Sequence, residues 1–204
     1  IEFVPDDDPR IFGKYAYIDE YITKMIWHYS CLNRGLTLIY NGKKYYSKNG
    51  LMDLLSGNIN DTDALYPIIH MSADNFEFAF THSDKVYTEE HYSFVNGQNT
   101  IHGGTHLAGF REALVKVLKD FYKKDYEPAD IRQGLVAAIS LRIEEPVFDS
   151  QTKTKLTSTN MKPDGSGTAV KTFIGDIVRK NLDDYLHINT ETAELILQKI
   201  VRNE

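Results

Sequence analysis

Three stretches of this sequence carry side chains whose types and spacing suit work on a phosphate or a polyanion. The first is Val147-Phe148-Asp149-Ser150-Gln151-Thr152-Lys153-Thr154-Lys155-Leu156. In an extended chain successive side chains alternate between two sides, so Gln151, Lys153 and Lys155 would face one way and the threonines the other. An amide and two ammoniums aimed together suit a phosphate, because lysine is a mobile point charge and the glutamine NH₂ donates. On a terminal phosphoryl group such a lysine would offset the charge that develops in transfer. On composition alone a solvated loop after a core strand is the better reading, since charge runs usually just face water.

The second stretch is Gly97-Gln98-Asn99-Thr100-Ile101-His102-Gly103-Gly104-Thr105-His106. Paired glycines before a helix N-terminus would let backbone N–H groups approach an anion. No Gly-Lys-Ser/Thr follows, so this is not a Walker loop. His102 and His106 are four apart, a spacing metal ligands use, but no third ligand lies at a matching distance. The simpler reading is a structural turn with Thr105 capping the helix. The third candidate is Arg111, at the edge of a helical apolar stripe led by Phe110 and Leu114, with Lys119 and Lys123 nearer the opposite face. A guanidinium held beside buried residues suits a specific phosphate contact, but without further context a snorkelling surface arginine is the better reading. Cys31 has no histidine positioned to activate it and reads as a buried structural thiol. Asp6, Asp7 and Asp8 read as a turn-rich linker rather than a metal site.

The elements that must position these residues follow from periodicity. Residues 1–4 read as a strand end closed by Pro5 and the acidic run to Pro9. A helix is expected from Asp19, its N-cap, with Tyr21, Ile22, Met25, Ile26, Tyr29 and Leu32 as the apolar face. Asn33-Arg34-Gly35 would stop it. Asn41-Gly42 between Leu36–Tyr40 and Lys43–Tyr46 predicts a hairpin. Gly50–Leu55 gives a helical turn or two, and Pro67–Ala73 and Phe76–Thr81 give strands, with Phe76, Phe78 and Phe80 opposite Glu77 and Ala79. Tyr92–Asn96 is a further strand. Thr105–Lys124 is a helix, and Pro128–Arg132 adds a turn ended by Gly134. Leu135–Ile143, almost wholly apolar, should run through the middle of a sheet. Gly165-Ser166-Gly167 is a joint before helices over 169–186 and 191–201. The order predicts an α+β fold, mostly antiparallel, with helices on one face of a sheet.

The chain has 204 residues, 29 acidic against 23 basic, with net charge −6 and one cysteine. That length buries a core without staples, a single cysteine forms no internal disulfide, and a cytoplasmic location is expected. No window approaches a membrane span, and Ile1-Glu2-Phe3-Val4 offers no secretory signal. The missing Met and the abrupt end after an apolar helical pattern read as a fragment of a longer protein. Net acidity argues against coating nucleic acid through overall charge. A local basic strip exists nonetheless: residues 151–162 hold Lys153, Lys155 and Lys162 with no acid.

Tyr92-Ser93-Phe94-Val95-Asn96, Gly103-Gly104-Thr105-His106-Leu107-Ala108-Gly109-Phe110-Arg111, Asp130-Ile131-Arg132-Gln133-Gly134-Leu135 and Gln151-Thr152-Lys153-Thr154-Lys155-Leu156 occur in that order. The series resembles the B subunits of bacterial type IIA topoisomerases, gyrase B and topoisomerase IV B. Phe3-Val4-Pro5-Asp6, Ile11-Phe12 and Leu32-Asn33-Arg34-Gly35 extend the resemblance across nearly the whole chain. It implies the transducer domain of these proteins, with a fold like domain 2 of ribosomal protein S5. On this division residues 1–10 end an ATP-binding domain, 11–165 form the transducer, and 166–204 are helices leading toward the cleavage domain. By position, Gln151 and Lys153 would contact the ATP γ-phosphate, with Lys153 assisting hydrolysis, and Arg111 would line the cavity that receives the transported DNA duplex. The implied cofactors of the full-length protein are ATP and Mg²⁺, with none expected on this fragment. The implied partners are double-stranded DNA, the topoisomerase A subunit and a second copy of the B subunit in a homodimer, with no membrane.

The sequence also departs from the family pattern. ATP-binding glycine motifs, the Mg²⁺-holding Asn and the catalytic Glu belong upstream, and the acidic cleavage cluster belongs downstream, so the fragment alone is expected to be inactive. Thr157-Ser158-Thr159-Asn160-Met161 replaces the Gly-Asn-Ser-Glu-Val run common in gyrase B, which with Glu144-Glu145-Pro146-Val147-Phe148 leans toward topoisomerase IV B. The competing readings are the transducer of a mismatch-repair or chaperone-type ATPase, and a non-enzymatic nucleic-acid-binding module of S5-like fold.

Overall fold

The computed structural model describes residues 6, 8–13, 16–59 and 63–204. The strand end expected at residues 1–4, Pro5 and Asp7 lie outside the described residues. A short helix α1 (Pro9–Phe12) follows, capped by the Asp8 carboxylate, which accepts from the Arg10 N–H. Then come α2 (Asp19–Leu32), a separate hairpin of β1 (Thr37–Tyr40) and β2 (Lys43–Tyr46), and α3 (Leu51–Ser56). Asn41 and Gly42 sit at φ 48° and 76°, the left-handed pair that a two-residue hairpin turn requires.

The main sheet has five strands: β3 (Ile69–Ala73), β4 (Phe76–His82), β5 (Glu89–Val95), β6 (Gln98–Asn99) and β7 (Leu135–Leu141), in the order β3-β4-β7-β5-β6. As expected, β7 is central. It pairs antiparallel with β4 and parallel with β5, the one parallel pairing in a sheet that is otherwise antiparallel, as expected. The parallel pairing is possible because α4 (Thr105–Tyr122) and α5 (Pro128–Arg132) cross over between the two strands.

Alternation divides β7 between two cores. Leu135, Ala137, Ile139 and Leu141 join Phe76, Phe78, Phe80 and Val95 in the main core, while Val136 and Ala138 join Ala79 and Phe94 in a smaller one. The long helices α4, α6 (Val170–Ile188) and α7 (Thr190–Asn203) cover the main face. Phe110 of α4 is fully buried with its ring centroid 5.6 Å from Phe78. Val170, Ile174, Val178, Leu182 and Leu186 line the buried side of α6, so the C-terminal helices share the main core.

The opposite face is covered by α2 and α3, a smaller layer. Here the apolar face expected for α2 is reversed in part. Tyr21, Met25 and Tyr29 are exposed, and His28, Ser30 and Cys31 are buried instead, with the His28 ring edge-on to Phe94 at 5.3 Å. The partner surface decides which stripe of a helix is covered, and this one meets the sheet through Trp27, His28 and Cys31. Asp19 is the first helical residue; Ile18 occupies the cap position without a side-chain bond. Cys31 is the buried thiol expected, and burial pushes its pKa up to about 12.

Candidate functional site

The basic segment does not run extended. Lys153 adopts φ 56°, and its N–H donates to the Ser150 carbonyl at 3.0 Å, closing a turn over Ser150–Lys153. The Asp149 N–H donates to the Lys155 carbonyl at 3.1 Å, so the turn is the tip of a small loop. The chain reversal breaks the alternation that would have aligned Gln151, Lys153 and Lys155 on one side. All three side chains are exposed, and Gln151 and Lys153 have no hydrogen-bond or ion-pair partner among the described residues. A left-handed lysine costs roughly 1 kcal/mol of backbone strain.

This loop is strapped to the glycine-rich stretch, so the structure brings the first two sequence candidates together. His102 N–H donates to the Thr154 carbonyl at 2.9 Å, Leu156 N–H to the Gly103 carbonyl at 3.0 Å, and Thr105 N–H to the Leu156 carbonyl at 3.1 Å. Gly104 sits at φ 131°, and a Cβ there would overlap the Leu156 backbone. The paired glycines therefore admit a protein backbone rather than a phosphate. Thr105 is not the cap either: Gly104 holds that position, and the Thr105 hydroxyl donates to the Ser158 carbonyl at 2.7 Å.

His102 and His106 do not converge. His102 is exposed, whereas His106 is fully buried, with Nε2 3.1 Å from Thr100 Oγ1. Burial pushes the His106 pKa down to about 4, so its ring is neutral at pH 7. Among the described residues no group of three His, Cys, Asp or Glu side chains could hold a metal ion. Beside the strap, at the same end of the sheet, lies an open cleft of about 1030 Å³ whose lining includes Asn33, Asn96, Arg142, Lys162 and Phe173.

Arg111 projects from α4 toward the other end of β5. Its Nε donates to Glu89 Oε2 at 3.0 Å and its Nη2 to Glu89 Oε1. The same carboxylate accepts from His91 Nε2 at 2.9 Å and lies 3.5 Å from Arg132 Nε. Burial pushes the Glu89 carboxyl up, but the bonds from Arg111 and His91 outweigh it and hold the group below its usual range. Burial likewise lowers the His91 pKa against the raising effect of Glu89. The Arg111 side chain stays about a third exposed, and its bonds to Glu89 use Nε and Nη2. Sequence reasoning missed Glu89, His91 and Arg132. The available signal was alternation, since Glu89 and His91 lie two apart on one strand and so share a face.

Two places thus emerge: an exposed cationic turn at one end of the sheet, and a half-buried arginine on a shared carboxylate toward the other. The six-residue step from Glu89 to Val95 separates the two ends by about 20 Å. No helix among the described residues is long and apolar enough to cross a membrane.

Comparison with known proteins sets this geometry in a family. Residues 44–204 match the family described as DNA gyrase B. The B subunit of DNA topoisomerase 4 from Borreliella burgdorferi is 43% identical over 204 residues, covering 100% of this chain and 32% of that protein. The DNA gyrase B subunit of Cytophaga hutchinsonii is 31% identical over 227 residues, covering 98% of this chain and 45% of that protein. The chain therefore spans 32–45% of the length of these relatives. Among solved structures, the 43K ATPase domain of Thermus thermophilus gyrase B superposes with a TM-score of 0.72 at 26% identity, covering 96% of this chain and 55% of that one. The α+β architecture, the ordered motifs and these likenesses agree: the chain belongs to the DNA gyrase B family.

Proposed function

We propose that this chain is the transducer segment of the B subunit of a type IIA DNA topoisomerase, coupling ATP binding and hydrolysis to passage of one DNA duplex through another. Residues 1–10 would end the ATP-binding domain, 11–165 form the transducer, and 166–204 lead toward the cleavage domain. The observation that carries the reading is the Ser150–Lys153 turn. It presents Gln151 and Lys153 outward and uncommitted, while its stem is fixed to the start of α4 by three backbone hydrogen bonds. An amide and an ammonium at a fixed projecting tip fit the oxygens of a terminal phosphate brought by a neighbouring domain.

In this account Lys153 stabilises charge developing on the γ-phosphoryl group, and Gln151 orients it. A pull on the turn is transmitted through the Leu156–Gly104 strap to α4, the helix that carries Arg111. Arg111 would contact the transported duplex through the donors that Glu89 leaves free. Mg²⁺ would accompany the nucleotide in the full enzyme; the described residues offer no carboxylate cluster for it, and no step here runs through it. DNA, the A subunit and a second copy of the B subunit are the partners, and the full-length protein would act in the cytoplasm. The identity of 43% to a topoisomerase IV relative against 31% to a gyrase relative supports the topoisomerase IV branch.

The test is ATP turnover by a chain extended upstream through the ATP-binding domain. Lys153→Ala is expected to lower kcat by about 10²–10³-fold, the cost of removing one transition-state donor, while nucleotide still binds. Unchanged turnover would refute the coupling account.

A further inference from the structure

His106 is a buried polar group with no part in the function proposed above. It stands in the first turn of α4, just after the glycine pair that receives the Leu156 backbone, and has no exposed surface. Its Nε2 lies 3.1 Å from Thr100 Oγ1, and its Nδ1 is buried with no hydrogen-bond partner among the described residues. A buried ring nitrogen left bare carries a cost that an apolar side chain of the same size avoids. What this position gains from a histidine is therefore the bond made by the other nitrogen. The direction of that bond follows from the network around it. Ser93 Oγ donates to the Thr100 carbonyl at 2.7 Å. Thr100 Oγ1 donates to the Ser93 carbonyl at 2.9 Å and lies 2.7 Å from Ser93 Oγ, so its single hydrogen is spent on Ser93. The hydroxyl meets the ring with a lone pair, which assigns the Nε2–H tautomer to His106 and makes the ring the donor.

Thr100 is also where the strap is seated. Its N–H donates to the Ser93 carbonyl and its own carbonyl accepts from the Gly103 N–H, both at 2.8 Å. The residues that follow take up the loop: His102 holds Thr154, and Gly103 and Thr105 hold Leu156. The hairpin that carries Ser93 and Thr100 is pinned to the central strand at its tip. Asn96 N–H donates to the Leu141 carbonyl at 2.9 Å, its Nδ2 donates to the Ile143 carbonyl at 2.8 Å, and its Oδ1 accepts from the Ile143 N–H at 2.9 Å. A continuous run of bonds thus leads from β7 through Thr100 to the stem of the Ser150–Lys153 turn. His106 ties the first turn of α4 into that run at Thr100.

We propose that His106 is a positioning residue for Lys153. By donating to Thr100 it fixes the Thr100–Gly103 turn against α4, and with that turn the strap that sets where the Lys153 ammonium stands. The inference rests on the proposed role of Lys153 at the γ-phosphate. The ring is fully enclosed, so it acts through the strap and not on a substrate. A leucine would fill the same space, but it would leave the Thr100 oxygen without its donor and the turn without its tie to the helix. The strain of the left-handed Lys153 makes that tie matter, because a turn held in a disfavoured conformation depends on its stem to keep it there.

The experiment is steady-state ATP turnover by the full-length protein, with nucleotide binding measured separately. His106→Leu is expected to lower kcat about 10-fold at unchanged nucleotide affinity, within the roughly 100-fold that a small misplacement of a reacting group can cost. His106→Gln puts an amide N–H near the Nε2 position and is expected to restore most of the rate. His106→Asn, whose shorter amide falls near Nδ1, is not. In a Lys153→Ala background His106→Leu is expected to have no further effect, because the lysine it positions is gone. Leu186→Ala truncates a core residue near the C-terminal end of α6; it is expected to lower the urea midpoint while kcat is kept. The Gln and Asn variants are both polar and close in size, so their comparison decides the question even where the Leu variant does not fold. Unchanged kcat in His106→Leu, equal rates for the Gln and Asn variants, an equal kcat loss in Leu186→Ala, or a loss that adds in full to that of Lys153→Ala would each overturn the proposal. Unchanged turnover in Lys153→Ala alone would bring down the proposed function and this inference with it. A loss at Lys153→Ala together with any of the other contrary results would bring down the inference alone.

Discussion

The turn at Ser150–Lys153 and the cluster around Glu89 are both charged and both sit beside α4, yet they are built in opposite ways. At the turn, the backbone is fixed by hydrogen bonds and the Gln151 and Lys153 side chains are exposed without a polar partner among the described residues. At the cluster, the side chains are fixed: one carboxylate organises Arg111, His91 and Arg132. A free side chain on a rigid stem can change partner without disturbing the fold. A side chain shared on a half-buried carboxylate cannot, so a substitution there reports on stability and on binding together. The two regions therefore predict different ratios of functional to structural effect.

Acid should give the largest structural effect, because a buried neutral histidine supports each region. His106 lies beneath the strap, bonded to Thr100, and His82 supports the α5 end of the cluster through the Ile131 carbonyl at 2.8 Å. Burial lowers both pKa values to about 4, below the usual value near 6.5 for an unfolded chain. Between those values the unfolded state binds more protons, so stability is complete above about pH 6.5 and falls as pH drops toward 4. The expected loss is at most roughly 3 kcal/mol per histidine, read from urea unfolding at stepped pH. A flat profile over that window would show the rings are not buried as described.

Gly104→Ala comes next. Its Cβ would meet the Leu156 backbone, so the strap must open, with an expected cost of about 3 kcal/mol or more in urea unfolding. A smaller loss would mean the turn is not held as tightly as the comparison requires. Glu89→Gln should cost about 1–2 kcal/mol, because it weakens charge-assisted bonds that are only partly shielded from water. A double-mutant cycle with Arg111→Gln should show positive coupling, and independence of the two changes would remove the pairing from the account. The smallest effect belongs to Lys153→Ala, expected within about 0.5 kcal/mol of the parent because the side chain is exposed and makes no hydrogen bond or ion pair among the described residues.

Much of this was legible in the residues, and the remainder shows where one-dimensional reasoning stops. The unbroken apolar run of β7 announced a central strand because a strand covered on both faces needs no polar alternation. Asn41-Gly42 announced the hairpin, and Phe76, Phe78 and Phe80 announced their shared face. The parallel β5–β7 pairing was hidden because alternation does not encode strand direction. The exposed Tyr21-Met25-Tyr29 stripe of α2 misled because periodicity shows that a helix has an apolar side, not which side a neighbour covers. Extended geometry at Gln151–Lys155 failed on one left-handed residue, Lys153, a type that rarely adopts it. The glycine pair was read as a place for an anion to approach or as a plain turn; what approaches Gly104 is the Leu156 backbone, 52 residues away in the chain and invisible to local reasoning. Of the candidate site, the types and approximate placement of Gln151, Lys153 and Arg111 were available from sequence. The commitment of Arg111 to Glu89 was not.

The central claim is that Lys153 sits on the γ-phosphate when the ATP-binding domain is present. It is tested most directly by ³¹P NMR of a bound non-hydrolysable ATP analogue in the upstream-extended chain, with Lys153 intact and as Lys153→Ala. The account predicts that the γ-phosphorus resonance moves on substitution while the α resonance stays in place. Superimposable spectra from the two proteins, with the analogue bound in both, would contradict it.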